Sequence, residues 1–340
     1  MKTMPALVFQ EQKNFDSLQR KEVPYPEPKA GEAVVEIKAS ALNHRDIWII
    51  QGLYPGITVP IILGSDGSGI VHEVGAGVDM KWLNQPVIIN PALDWGDNPR
   101  VQQSSFRILG LPDNGTQAAY VAVPAANLVE KPDYLSFEEA AAIPLGGLTG
   151  YRALFTRGGL QAGETVLLTG IGGGVASLML PMALAAGARV FVTSGSAAKI
   201  EQAVRAGAAG GVNYKNAHWA KEIAALAGRH GVDMVIDSTG GKGFEDLISL
   251  VNPGERIVFF GATAGDPQVL PMRQIFWKQI SLLGTTMGNP RDFHQMVRLF
   301  ERHKIKPMMD GPYPFSQYRQ AYSRMMNAEQ FGKIVLVPES

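Results

Sequence analysis

The sequence predicts an α/β protein in which a β-rich, barrel-like first part leads into a doubly wound parallel sheet. Three observations carry this. Short apolar runs punctuated by Gly and Pro fill the chain to about Val123. From about Leu135, apolar runs alternate with Ala-rich helical stretches. Between one such run and the next helix stands a cluster of glycines, Gly170 to Gly174.

In chain order, Ala33–Ala39 alternates through Val34, Val35 and Ile37, and Ile70–Val74, Val87–Ile89 and Ala119–Val123 are short strand candidates. Phe137–Ala142 reads as a helix, with Ser136 as N-cap and two acids in its first turn. Thr165–Thr169, Val190–Thr193, Met234–Asp237 and Arg256–Phe260 are the strands expected of the parallel sheet, and Ile280–Gly284 is its expected last strand. Ala198–Ala206 and Trp219–Ala227 are helices between them. The tail adds a helix at Asp292–His303, a turn at Gly311-Pro312, another helix and a closing strand, Gly332–Val337. Pro181, inside the helix after the glycines, should kink that helix or end it early.

At 340 residues the chain exceeds the usual single-domain range of about 100–200, so two domains are expected. With 46% hydrophobic and 18% charged residues it can build a core without staples. Lys plus Arg equals Asp plus Glu at 31 each, so no net field draws nucleic acid or an anionic membrane. Met1–Gln10 is too weakly apolar for a signal peptide, and Leu178–Ala188 is too short and interrupted to span a bilayer, which gives a cytoplasmic expectation. The absence of Cys excludes disulfides, thiolate nucleophiles and Cys-ligated zinc. The six His are scattered and none makes a paired metal-binding spacing, so no metal is expected.

The segment Thr165 to Ala176 runs from an apolar strand through Gly170, Gly172, Gly173 and Gly174 into a helix. Glycines let the backbone turn tightly against a pyrophosphate, which sits among the unpaired N–H groups at the helix N-terminus. Gly172, Gly173, Gly174 and Val175 are therefore candidate cofactor residues. An NAD site usually places an acid at the end of the next strand, to accept from the ribose hydroxyls. This chain has Ser194-Gly195-Ser196 there, with Lys199 beyond, which favours the 2′-phosphate of NADPH. Read alone, Ser196 could equally be a helix cap and Lys199 a solvated face residue. Ser238 and Thr239, and Gly261, Ala262 and Thr263, follow the next two strands and complete the candidate cofactor set.

The order and spacing of several segments resemble the medium-chain dehydrogenase/reductases, specifically the zinc-free quinone-oxidoreductase branch, over essentially the whole chain. They are Asn43-His-Arg-Asp46 with Gln51-Gly-Leu-Tyr54-Pro55, Gly64-Ser-Asp66-Gly-Ser-Gly69, Val74-Gly-Ala-Gly77, Ala140-Ala-Ala-Ile-Pro144 with Leu148-Thr149-Gly150-Tyr151, the glycine turn, and Gly207-Ala208 before Asn213-Tyr214. The resemblance implies a GroES-like β-barrel catalytic domain from residues 1–130 and 291–340, and a Rossmann cofactor domain from 131–290, with the cleft at their junction. It implies that Gly195, Lys199 and Tyr214 hold the adenosine 2′-phosphate. It also implies that the Cys, His and Cys zinc ligands of the alcohol dehydrogenases are replaced by Asn43, Ser65 and Leu145, with Asp66 matching their Glu. Pairing of Ile280–Thr285 across a two-fold implies a homodimer.

The expected chemistry is hydride transfer from NADPH to a small-molecule quinone or activated C=C acceptor. Tyr54, in the Gln-Gly-Leu-Tyr-Pro loop that carries a catalytic Tyr in related enoyl-thioester reductases, is the candidate proton donor; lining of an apolar pocket is its other reading. A phenol with an unperturbed pKa near 10 is protonated at neutral pH and can donate. Asn43 and Thr149 would orient the carboxamide or the substrate, or serve as a turn side chain and a helix cap. The competing functions are a metal-independent alcohol or aldehyde oxidoreductase and a non-catalytic, crystallin-like NADPH-binding protein.

Overall fold

The computed structural model describes residues 2–228 and 231–339; Met1, Arg229, His230 and Ser340 lie outside the described residues. The chain forms two compact units, one from residues 1–146 with 288–340 and one from residues 147–287.

The first unit is organised by the ten-residue strand Glu32–Ala41, most of whose residues are buried. It pairs antiparallel with Asp66–Val74, with Tyr120–Pro124 and, near its end, with Lys333–Val337. Its inward Val35 and Ile37 pack with Val71, Val87, Ile89 and Val121, the core that period-two alternation leads one to expect. Gly69 is required here: a Cβ would stand 2.0 Å from the Glu36 carbonyl oxygen. A second sheet, in which Thr3–Phe9 pairs antiparallel with Gln19–Pro24 and Ile61–Ile62, has no counterpart in the sequence reading. The helix Phe137–Ala141, outside the 1–130 range expected for the first domain, belongs to this unit. The Ser68 hydroxyl donates to the Phe137 carbonyl at 2.5 Å. Ser136 caps that helix as expected, its hydroxyl accepting from the Glu139 amide at 3.1 Å.

The expected turn at Gly311-Pro312 is instead part of a strand, Met309–Pro314, which runs parallel to Lys333–Val337. The pairing register shifts between Asp310 and Tyr313, and this irregularity absorbs the Gly-Pro pair whose proline has no N–H to offer the ladder.

The second unit holds a six-stranded, wholly parallel sheet. Across it the strands run Gly210–Asn213, Arg189–Ser194, Thr165–Leu168, Val232–Asp237, Val251–Phe259 and Ser281–Gly284. The chain thus winds outward from Thr165–Leu168 in one direction and returns to fill the other side, leaving a switch point at the centre. Helix Gly174–Ala185 carries Pro181 internally and continues four residues past it, so the early end expected at that proline does not occur. Its Leu178, Met179, Leu180, Met182 and Ala183 are buried, and that packing outweighs a penalty of about 3 kcal/mol for an interior proline. Among the described residues, no helix is long and apolar enough to cross a membrane.

Candidate active site

Parallel strands all present their carboxyl ends on one edge of the sheet, and the candidate cofactor residues lie in the turns that leave that edge. Gly170 and Gly172 take φ of +65° and +111°, a region that favours glycine. A Cβ on Gly172 would stand 2.7 Å from Lys199 Cδ and 3.3 Å from its Nζ. The lysine stem therefore lies directly over the glycine turn. Gly173 is the N-cap of Gly174–Ala185 and offers no side chain, so the first-turn amides of Gly174, Val175 and Ala176 point outward.

At the next strand end, the Ser194 hydroxyl accepts from the Ser196 amide at 3.2 Å. Ser196 does occupy the N-cap of helix Ala197–Arg205, yet its hydroxyl makes no capping bond. A Cβ on Gly195 would stand 2.8 Å from Tyr214 Oη and 3.0 Å from Lys215 Cε. The structure thus brings Lys199 to Gly172 and Tyr214 to Gly195, and beside Gly195 it adds Lys215, which the sequence reading passed over. On the other side of the switch point, Thr239 Oγ1 faces Gly170, 4.0 Å from the position a Cβ would take there. Thr263 donates through its amide to the Ser238 carbonyl at 3.2 Å, and Gly261 passes that carbonyl so closely that a Cβ would be 3.1 Å from it. Ala262 packs on Gly240, whose amide donates to Asp237 at 2.8 Å. Thr149 is buried on helix Pro144–Tyr151, its Oγ1 3.8 Å from Met287 Sδ.

The first unit holds a buried polar cluster around Asn43. Asn43 is the N-cap of helix His44–Ile50, and its backbone amide donates to Asp46 Oδ2 at 2.9 Å. Its side chain accepts from Lys333 Nζ at 2.6 Å and donates through Nδ2 to Asp66 Oδ2 at 3.0 Å. Lys333 also donates to Asp66 Oδ2 at 2.7 Å and to the Leu42 carbonyl at 2.8 Å. The other Asp66 oxygen accepts from the Leu145 amide at 2.7 Å. Next to this cluster, Arg45 donates to Ser65 Oγ at 2.7 Å and to the Leu109 carbonyl at 2.9 Å, and its guanidinium stands 4.9 Å from the Tyr54 ring centroid. Burial pushes the Asp46 carboxyl up to about 6, against the opposing pull of Arg45, the Asn43 amide and Lys333. Burial likewise raises the Tyr322 phenol, which donates to Gln117 at 2.9 Å. Among the described residues, no three His, Cys, Asp or Glu side chains converge to hold a metal ion.

Two family models match this chain, an alcohol dehydrogenase GroES-like domain over residues 29–133 and a zinc-binding dehydrogenase domain over residues 174–302. A zinc-type alcohol dehydrogenase-like protein of Leptosphaeria maculans is 35% identical over 337 residues, covering 94% of each chain. The chain belongs to the medium-chain dehydrogenase/reductase superfamily. A crystal structure of an NAD-dependent alcohol dehydrogenase superposes with a TM-score of 0.93 at 38% identity, covering 98% of this chain and 99% of that one. The synaptic vesicle membrane protein VAT-1 homolog of Mus musculus is 27% identical over 92% of this chain and 78% of its own length.

Within this dehydrogenase/reductase the first unit is the GroES-like domain and the parallel sheet is the Rossmann domain, and the chain is an oxidoreductase of a nicotinamide-dependent fold. Lys333 and Arg45 were absent from the sequence reading of the site. The available signal was a Lys opening the otherwise apolar strand Lys333–Val337, a residue type almost never buried without a partner.

Proposed function

We propose that this chain is an NADPH-dependent reductase that delivers hydride to a quinone or to the activated C=C of an enone or enal without using a metal. The observation that carries the reading is the set of residues around Asp66. An amide at 43, a hydroxyl at 65 and an apolar side chain at 145 offer no thiolate or imidazole to zinc. The ammonium of Lys333 bonds directly to Asp66 among them. This departs from the zinc-binding description of the matched family model.

The cofactor residues fit a phosphorylated dinucleotide. The glycine turn would fill with any Cβ at Gly172, and Gly195 leaves room for Tyr214 Oη. Lys199 and Tyr214 are proposed to hold the 2′-phosphate, while Gly172–Val175, Ser194, Ser196, Ser238, Thr239 and Gly261–Thr263 line the rest of the dinucleotide site. Bound there, NADPH supplies the hydride. An acceptor that gains a hydride gains negative charge on its oxygen, and the protein's task is to meet that oxygen with a proton or a hydrogen bond. Tyr54 is the proposed proton donor, and the Arg45 guanidinium, 4.9 Å from its ring centroid, holds the ring in place. Asn43 and Thr149 orient substrate or carboxamide. In this reading the first unit, residues 1–146 with 288–340, is the catalytic domain and residues 147–287 form the cofactor domain.

A homodimer is proposed as well. Ser281–Gly284 is a sheet edge, and the preceding helix Met272–Lys278 exposes Met272, Phe276 and Trp277 beside exposed Val269 and Leu270. A second reading is a metal-independent, NAD(P)-dependent alcohol or aldehyde oxidoreductase; the names of the relatives support its alcohol substrate but not its independence of metal. Oxidation of NADPH and NADH by chelator-dialysed protein, followed with quinones, enones and aldehydes, separates the two, as does the reverse reaction with alcohols. Turnover confined to alcohols, or lost with the chelator, refutes the metal-free reductase.

A further inference from the structure

Lys333 and Asp66 form an ion pair at 2.7 Å with side chains 2% and 0% exposed. Burying two charges in a protein interior costs several kcal/mol per ion, and well-packed apolar residues usually do the same structural work at least as well. The hydrogen bonds around the pair indicate another use. All three protons of Lys333 Nζ are committed, to the Leu42 carbonyl, to Asn43 Oδ1 and to Asp66 Oδ2. Both Asp66 oxygens are engaged, one by the Leu145 amide and the other by Lys333 and Asn43 Nδ2. The two charges therefore set the orientation of one neutral group. Turning the Asn43 amide over would place its NH2 against an ammonium and its carbonyl against a carboxylate.

One hydrogen of Asn43 Nδ2 goes to Asp66, and the second has no acceptor among the described residues. A cation on the amide oxygen draws electron density from the nitrogen, and a low-dielectric setting strengthens that polarisation. Resting on the reductase reading above, we propose that Lys333 and Asp66 are positioning residues. Together they aim and polarise the remaining Asn43 Nδ2–H as the hydrogen-bond donor to the acceptor's carbonyl oxygen, where negative charge gathers. The acceptor class that follows is one whose reduction places charge on oxygen, an enone, enal or quinone.

The test uses the full-length protein and the double variant Lys333→Met/Asp66→Leu, which removes both charges together and leaves neither buried alone. Losing one donor to a developing oxyanion costs about 10²–10³ in kcat. Here the donor is retained but neither aimed nor polarised, so kcat with an enone should fall about tenfold to a hundredfold. KM for NADPH should stay within about threefold and Tm near the wild-type value. Lys333→Arg, which keeps a cation against Asn43, should recover most of the loss. A folded double variant that turns over at the wild-type rate overturns the inference, as does a loss that follows Tm and is not restored by Lys333→Arg. A wild-type protein that reduces no carbonyl acceptor with NADPH refutes the reductase reading itself and the inference with it.

Discussion

Replacing Lys199 by Ala tests the cofactor assignment at its most exposed point. The side chain is half-buried across Gly172, and the neighbouring Tyr214 is 49% exposed, so the phosphate it would meet is in contact with water. A charge-assisted hydrogen bond is worth about 1.5–3 kcal/mol, and solvent screening places this one near the lower end. Loss of about 1.5 kcal/mol weakens NADPH binding roughly tenfold. Lys215, which packs beside Gly195, supplies a second cation and limits that loss. Lys199→Ala with Lys215→Ala should therefore cost distinctly more than Lys199→Ala alone. NADH lacks the phosphate, and its affinity should change by less than about twofold. Fluorescence titrations of both cofactors on wild type, both single variants and the double variant, at two salt concentrations, measure this. The NADPH advantage should shrink with salt in wild type and much less in the double variant. Equal losses for both cofactors, or tighter wild-type binding of NADH, would mean that Lys199 is only a surface residue.

Three further outcomes are expected. Elemental analysis after dialysis against chelator should find zinc well below one per chain, and a stoichiometric ion would contradict the metal-free reading. Trp277→Glu with Phe276→Glu, on the exposed face of Met272–Lys278, should convert a dimer to a monomer in light scattering at micromolar concentration. A wild-type monomer under those conditions would refute the interface. The Asp46 carboxyl, raised from 3.8 to about 6, gives the folded state the higher proton affinity. Its contribution is therefore complete below about pH 4 and lost as pH rises through about 6. Asp46→Asn should gain stability relative to wild type across that window, by about 3 kcal/mol at most, in denaturant melts at pH 4 and pH 7. A pH-independent difference between the two proteins would show that Asp46 is not the titrating group.

The parallel-sheet unit was legible because its strands are buried on both faces and carry short apolar runs, such as Val166–Leu168 and Met234–Ile236. Capping chemistry made Ser136 equally readable. Local pattern failed wherever the stabilising partner is remote in sequence. Gly210–Asn213 looks like a turn, yet it is an edge strand whose Gly211 lets the backbone close on Val192 and Ile200. Gly311-Pro312 likewise has turn composition, and only pairing with Lys333–Val337 draws it into a strand.

By itself the sequence determined the two-part α/β architecture, the absence of thiolate chemistry, and the glycine turn with Ser194, Gly195 and Ser196 at the end of the next strand. These rest on periodicity, residue inventory and short-range backbone geometry, all of which are local. Only the tertiary structure decided that Lys333 meets Asn43 and Asp66, and that Arg45 reaches Ser65, Leu109 and the Tyr54 ring. Lys333 is separated from Asn43 by 290 positions. A buried charge is tolerated only where its counter-charge and acceptors converge. No local pattern in the closing strand specifies which distant residues those are, because strand pairing brings them together only in the folded chain.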